Sequence, residues 1–445
     1  MPSTLQGRLS VAIETHGCKL NQADTALLAA RFNSAGFDLV ATDQPADVYL
    51  VNSCTVTHVA DRKARQSIRS ARRRNPAATI VATGCYAERD PAELCALPEI
   101  DLLAGNGDKV RLVQDVMMLG VGDASTCGAG SDELPLPPKV LKTRAMVKIQ
   151  EGCDQVCAYC IVPRVRGRER SMPAAEVVTQ INRLVDAGYR EVVLTGTQLG
   201  TYGFDLSGNG PSTLFGLISA VLDATDVDRI RVSSLQPKEI DRALLDLWSD
   251  KRLCPHFHMP LQSGSDVVLQ RMRRRYSAAD YERSVDLVRD RLPQPAITGD
   301  VIAGFPDETA SDFRLTYELA ERAGFSALHV FPFSARPGTT AAHFDDNVPP
   351  ETKSDRVAEL IELGKRTGRE FRKRLLGTSR PVLWEERQAG TWTGLTDNYV
   401  RVTAGSEKDL FNRVVQTRLI EQAGEAVVGV PLLATTDPTV QPAAN

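Results

Sequence analysis

No apolar run in this 445-residue chain approaches the length that crosses a bilayer. Its opening, MPSTLQGRLSVAIETHGC, lacks the basic, apolar and small-residue sections of a secretory leader. A membrane protein and an exported one are therefore not expected, and the cytoplasm is the expected location. Histidine is scarce, at 6 residues, and scattered, so none is assigned to a metal; His16, near Cys18, reads as structural. Net charge is small, −3, and by itself predicts no partner. No internal repeat or low-complexity tract is found, and only the tail TTDPTVQPAAN reads as disordered. What the chain does have is apolar material for sizeable cores, 42% hydrophobic against 24% charged, and a length that predicts two or three domains. It also has 9 cysteines, an odd number, which argues for metal or thiol chemistry rather than a disulfide framework.

Residues 1–120 alternate β-rich and helical runs. VAIETHGC precedes QADTALLAARFNSAG, with Gly36 as the helix C-cap, DVYLVNSC precedes HVADRKARQSIRSARRRN, and TIVATGC precedes DPAELCAL. Strand–helix alternation predicts an α/β unit with a parallel sheet, whose ligands sit beyond the carboxyl ends of the strands. Three of those ends carry a cysteine, Cys18, Cys54 and Cys85, so these thiols should converge at one sheet edge. Residues 121–139, rich in Gly, Pro and small polar residues, read as a linker. The rhythm resumes over 140–375 with strands at AMVKIQEG, EVVLTGT, RIRVSSLQ, HFHMPLQSG, AITGDVIAGFP and ALHVFPFS, the pattern of a partial (β/α)6 barrel of the TIM type. Residues 376–440 change to closely spaced strands punctuated by turns, RPVLWEE, TWTGLTDN, YVRVTAG, NRVVQTRLIE and AVVGVPLL, and predict a small all-β barrel.

Cys153, Cys157 and Cys160 form a C-x3-C-x2-C set in the loop after the first barrel strand. A structural zinc site closes with four ligands, and no histidine follows nearby. Three thiolates on a four-iron cluster leave one iron open to bind a small ligand. Cys95, Cys127 and Cys254 have neither strand-end placement nor cluster spacing and read as ordinary packed or loop thiols.

With Tyr159 just before its last cysteine, this triplet resembles the signature of the radical S-adenosylmethionine (SAM) enzymes. The resemblance implies that the open iron chelates SAM and that the reduced cluster cleaves it to a 5′-deoxyadenosyl radical. LTGTQLG is similar to the segment that holds the SAM amino group, which implies Thr195, Gly196 and Thr197. HMPLQSGS and GDVIAGFP likewise imply Gln262, Ser263, Asp300 and Gly304 as facing SAM. GCKLNQADT, VNSCTVT and TGCYAER, continued by GRERS, RVSSLQP and SARPGTTAA, resemble the methylthiotransferases across nearly the whole chain. In that family the first three cysteines hold an auxiliary cluster, so two [4Fe-4S] clusters on Cys18, Cys54, Cys85 and Cys153, Cys157, Cys160 are implied, with SAM as cofactor.

Basic clusters at Arg62–Arg74, Arg164–Arg170, Arg271–Arg275 and Lys365–Arg374 supply material for a phosphate-binding face. GLTDNYVRV resembles the TRAM domain, an RNA-binding module of the family, which implies an RNA substrate with an unstacked loop base presented to the clusters. Around the first cysteine, a proline typically follows it in the branch acting on a ribosomal protein, and GCQMN is typical of the isopentenyladenosine branch. GCKLNQ and NSCTVT resemble the branch acting on threonylcarbamoyladenosine at position 37 of the tRNA anticodon stem-loop, although His16 and Ala23 depart from the residues commoner there. The implied reaction places a methylthio group on carbon 2 of that adenine. A reductant protein of the flavodoxin or ferredoxin type and a sulfur donor are the implied partners.

Overall fold

The computed structural model describes residues 8–121, 143–208 and 210–433. Nearly all of the expected linker, the tail from residue 434 and Cys127 lie outside the described residues.

The first unit is a five-stranded parallel sheet of β1 (Ser10–Thr15), β2 (Asp38–Val40), β3 (Val48–Ser53), β4 (Thr79–Gly84) and β5 (Leu102–Ala104), in the order β2-β1-β3-β4-β5. β3, VYLVNS, is buried at all six positions, as a central strand covered on both faces must be. The Lys19–Ser34 helix ends before Gly36, whose φ of +89° is the left-handed turn expected there. The His58–Arg74 helix starts at Thr57, whose hydroxyl accepts from Ala60 N at 3.2 Å. Two apolar clusters flank the sheet, one around Leu28, Phe32 and Phe37, the other around Tyr49, Ile68 and Tyr86.

Six barrel strands follow, besides a two-residue hairpin pair at Gln150–Glu151 and Arg170–Ser171: β6 (Arg144–Lys148), β7 (Glu191–Thr195), β8 (Arg229–Val232), β9 (His256–His258), β10 (Ala296–Ala303) and β11 (Ala327–Pro332). They pair in parallel as β6-β7-β8 and β9-β10-β11, and single parallel bridges at Ile230–Leu253 and Ser234–His258 join the two halves. The barrel is left open between β6 and β11, as the six predicted βα units require. A large core from Val147 to Leu363 fills the space between strands and outer helices.

The last unit is a closed five-stranded barrel of β12 (Ser379–Gln388), β13 (Thr391–Thr396), β14 (Arg401–Gly405), β15 (Val414–Ala423) and β16 (Ala426–Pro431), in the order β12-β13-β14-β16-β15. β15 alternates exposed and buried residues, the period-2 pattern of a strand with one face on a core, here around Trp384, Val402 and Leu419.

Charged contacts fix the three units to one another. Asp24 of the first unit, 2% exposed at its side chain, accepts from Lys109 at 2.7 Å and, across the unit boundary, from Lys148 and Arg166, each at 2.8 Å. Arg336, after β11, donates to Asp61 at 2.5 Å and to Thr55 at 2.8 Å. At the other end, Glu191 pairs with Arg229 at 2.9 Å and Arg231 at 3.0 Å. Burial alone would raise the Glu191 pKa, but Arg231 and Arg229 outweigh it and pull it down to about 2. The same arginines reach into the last unit, Arg229 donating to the Leu395 and Thr396 carbonyls at 3.0 and 2.8 Å, and Arg231 to the Asp397 carbonyl at 3.0 Å. Tyr399 completes the plug, stacked on His256 at 4.6 Å with the Arg231 guanidinium 4.8 Å from its ring centre.

Among the described residues no helix is long and apolar enough to cross a membrane.

Candidate active site

After β6 the chain enters the loop that carries Cys153, Cys157 and Cys160. Gly152 makes the entry possible: its φ is +77°, and a Cβ there would lie 1.9 Å from the Arg168 carbonyl oxygen. The loop is pinned by Cys153 N to Gly167 O (3.1 Å), Cys160 N to Cys157 O (3.1 Å) and Ala158 N to Met272 O (2.9 Å). Two sulfurs receive donors, Gln155 N to Cys153 Sγ at 3.4 Å and Arg274 Nη1 to Cys157 Sγ at 3.3 Å. Burial pushes the Cys153 and Cys160 thiols up to about 11 and about 12, and the Arg274 guanidinium beside Cys157 offsets this only in part, so three thiolates here call for further positive charge such as a bound metal.

The second triplet follows β1, β3 and β4, neighbours in the sheet. Cys18 caps the Lys19–Ser34 helix, Cys54 directly follows β3, and Cys85 opens the Cys85–Arg89 helix after β4. Gly17 and Gly84 precede two of them, both with positive φ and no room for a side chain. A Cβ on Gly17 would fall 2.7 Å from Cys54 Sγ, and one on Gly84 would fall 2.4 Å from Ser53 O. This close approach brings the three thiols to one edge, as their strand-end positions predict. Burial raises the Cys54 thiol to about 12 and raises Cys85 as well, and the neighbouring thiols add to both. Arg336, 1% exposed, leaves its Nε and Nη1 without a protein acceptor beside Thr55, the residue after Cys54. Arg166 and Lys109 lower the Cys85 thiol without cancelling its burial, and raised thiols beside buried donors without acceptors are complementary needs that a sulfide-rich cluster meets.

All six cysteines are unpaired. Among the described residues the one group of three ligand atoms within 4.8 Å of one another belongs to His258, Asp300 and His329; neither cysteine triplet is that tight. A single zinc, about 2.3 Å from each sulfur, needs closer thiolates than these, whereas a four-iron cluster binds each one through a different iron. The two triplets share one interface. Cys85 packs with Ile161 and Val165, just after the Cys153–Cys160 loop, and Asn106 donates to the Val165 carbonyl at 2.6 Å while lying 4.0 Å from Cys85 Sγ.

The remaining predicted positions separate. Tyr159 packs against the cluster of Ala158, Met272, Phe305 and Phe333 beneath the loop. Thr195 ends β7, and the loop of Gly196 and Thr197 is held by Gln150 Oε1, which accepts from Thr197 N at 2.8 Å and Gln198 N at 2.9 Å. Thr197 Oγ1 is buried without a partner. Gln262, at φ +62°, bridges β9 to β10. Ser263 is fully buried with its hydroxyl at 3.1 Å from Thr316 Oγ1, a packing position. Gly304 turns at φ +70° against Lys353. Asp300 bonds both imidazoles, His258 Nε2 and His329 Nδ1, each at 3.1 Å, inside the barrel.

Several residues of this site carry no individual assignment from the sequence. Gln236 donates to Gln155 at 3.3 Å and, by a short bond, to Gln198, which in turn donates to Glu239. Burial lifts the Glu239 pKa to about 7. The signal for Gln198, Gln236 and Arg336 was present, since LTGTQLG, RVSSLQP and SARPGTTAA contain them. The basic clusters are less of an RNA surface than their sequence implies: Arg166 and Arg274 are spent on Asp24 and Cys157, Arg72 on Asp101 and Arg366 on Glu321. Lys365, Arg369 and Arg372 do line a cleft of about 930 Å³, with Arg144 and Thr298 on the barrel side and Tyr399 and Arg401 on the C-terminal barrel.

Residues 147–320 match the radical SAM superfamily, and residues 10–105 match the uncharacterized protein family UPF0004. Over 93% of this chain and 94% of the relative, the sequence is 37% identical to the threonylcarbamoyladenosine tRNA methylthiotransferase MtaB of Bacillus subtilis. The chain belongs to the tRNA methylthiotransferase family. The MtaB of Aquifex aeolicus is 38% identical over 90% of this chain and 98% of its own length. A second branch, represented by the tRNA-2-methylthio-N(6)-dimethylallyladenosine synthase of Syntrophotalea carbinolica, is 32% identical over 92% and 97%. Among solved structures, the radical SAM methyltransferase TsrM of Kitasatospora setae superimposes with a TM-score of 0.52 over 87% of this chain and 81% of that one, at 15% identity, a likeness of fold.

Proposed function

We infer that this chain is a tRNA methylthiotransferase that places a methylthio group on carbon 2 of N6-threonylcarbamoyladenosine at tRNA position 37. The single observation that carries the reading is the pair of cysteine triplets meeting at the Cys85–Val165 contact, in a chain colinear with its tRNA-modifying relatives. Cys153, Cys157 and Cys160 would hold a [4Fe-4S] cluster that binds SAM, and Cys18, Cys54 and Cys85 a second cluster that carries sulfur. When bound, these groups supply radical cleavage of SAM and the sulfur to be inserted.

The protein's own part is chiefly positional. Asp24, Arg166 and Asn106 lock the two thiol-bearing units at a fixed separation, and a misplacement of about 1 Å there is costly to rate. Gln155 N–H and Arg274 deliver hydrogen bonds to the thiolates of Cys153 and Cys157 and offset their charge. Gln150 fixes the loop of Thr195, Gly196 and Thr197 that supports SAM. The cleft between the Pro350–Leu375 helix and the C-terminal barrel, lined by Lys365, Arg369, Arg372 and Arg401, suits the phosphate backbone of the anticodon stem. An electron-donor protein and a sulfur source complete the reaction.

Mass spectrometry of nucleosides tests the reading directly. Incubated with SAM, sulfide and a reductant, tRNA bearing threonylcarbamoyladenosine should yield its 2-methylthio derivative; product on isopentenyladenosine instead would move the chain to the other branch. Anaerobically reconstituted protein should carry about eight irons. Cys153→Ala should abolish SAM cleavage, while Cys54→Ala should retain cleavage and lose sulfur insertion. Methylthiolated tRNA from the Cys54→Ala protein would refute the two-cluster reading.

A further inference from the structure

Lys19 immediately follows Cys18 and opens a helix that packs against β6 and β7. Its ammonium lies within electrostatic reach of Arg144, Glu191, Arg231 and Asp300, which stand on β6, β7, β8 and β10. A side chain that senses four of the six walls of a barrel is directed into its lumen. The lumen's carboxylates are already committed. Glu191 holds Arg229 and Arg231, Glu385 holds Arg144 at 2.6 Å, and Asp300 accepts from His258 and His329. Among the described residues, nothing hydrogen-bonds to or ion-pairs with Lys19. Four fixed cations, Lys19, Arg144, Arg229 and Arg231, thus face three carboxylates, with the ammonium left over. A partly buried charge without a partner is costly unless something arrives to pair with it.

The lumen is also where a base must enter. Its open side runs along β11, where His329, 56% exposed at its side chain, stands close enough to feel the Lys19 charge. His329 Nδ1 is held by Asp300, which fixes the ring and leaves Nε2 without a partner among the described residues. One ammonium and one imidazole edge, beside the thiol that precedes Lys19, form a receptor for a small anionic group on a nucleobase substituent.

We propose that Lys19 is a specificity-determining residue that pairs with the carboxylate of the threonyl substituent on the target adenosine, with His329, in the form that carries a proton on both ring nitrogens, as a second donor to the same group. The proposal rests on the substrate reading above and adds to it the group recognised and the side chains that recognise it. A neutral isopentenyl substituent offers nothing to such a site, so the pairing would also exclude that substrate.

The test is a binding measurement on the full reconstituted chain, without turnover, using two anticodon stem-loops. One carries N6-threonylcarbamoyladenosine and the other the same nucleoside with its carboxylate converted to a carboxamide. The parent protein should bind the acid about tenfold or more tighter than the amide, the size of one charged hydrogen-bonded pair. Lys19→Gln should erase that preference by weakening the acid alone, and Lys19→Arg should keep it. Equal weakening of both loops by Lys19→Gln would mark a structural lysine and overturn the proposal, as would a parent protein that binds both loops alike. Failure of the parent to methylthiolate the acid-bearing loop would instead defeat the substrate reading, and the present inference with it.

Discussion

Replacing Asp24 by asparagine keeps its shape and removes the one charge on which Lys109, Lys148 and Arg166 converge. Glu151 remains as a partner for Lys148 at 2.9 Å and for Arg166 at 2.6 Å, but Asp24 is the ion-pair partner found for Lys109, whose side chain is 10% exposed. Breaking a buried pair on one side costs about 3–5 kcal/mol, and because two of the three cations keep Glu151 the lower end applies. At about 2–4 °C per kcal/mol, thermal unfolding of Asp24→Asn should fall by about 6 °C or more. Burial alone would raise the Asp24 pKa, but Lys109, Lys148 and Arg166 hold it well below the carboxylate range. Its contribution is therefore fully present above the unfolded value and lost only in strong acid, so the deficit of the variant should be flat between about pH 5 and 8. Adding Lys109→Met should recover part of the loss by removing the stranded cation. A melting temperature within about 1 °C of the parent would refute the claim that this contact holds the two units together.

Glu239→Gln tests the raised carboxyl: the parent keeps the stability of the protonated form below about pH 4.5 and loses it as pH rises through about 7. The glutamine variant should therefore be more stable than the parent at pH 8 by about 3 kcal/mol, measured by denaturant unfolding, and equal to it in acid. Gly17→Ala places a methyl group 2.5 Å from Cys54 Cβ at a φ of +93°, so iron per chain should fall toward half while SAM cleavage at the other triplet persists. Deleting residues 376–433 strips the carbonyls of Leu395, Thr396 and Asp397 from Arg229 and Arg231. Each orphaned donor costs about 1–3 kcal/mol, so the truncated protein should melt well below the parent rather than behave as an independent barrel.

The three-unit order and the two thiol triplets were legible because each has a local signature: apolar runs of one period, turn residues between them, cysteines at strand ends. β2 and β5 were not, since three residues are too few to display a period, and their pairing comes from the sheet beside them. Polar networks escape for a different reason. Gln155 and Gln236 lie 81 positions apart, and Arg336 meets Thr55 across 281, so no window of sequence contains both partners. Arg166 and Arg274 were visible as charge but not as buried charge, because burial is decided by what folds over them. Ser263, which a segment-level likeness marks as facing SAM, likewise bonds Thr316, 53 positions away, a partner no local window contains.

The contacts of Tyr399 with His256 and with the Arg231 guanidinium make the C-terminal barrel the floor of the central barrel rather than a tethered accessory. On the function proposed above, a tRNA held in the cleft beside that module would be gauged against a fixed datum. The reach from grip to lumen is set in the rigid body of the protein, so a change of target would have to come from the geometry of the RNA.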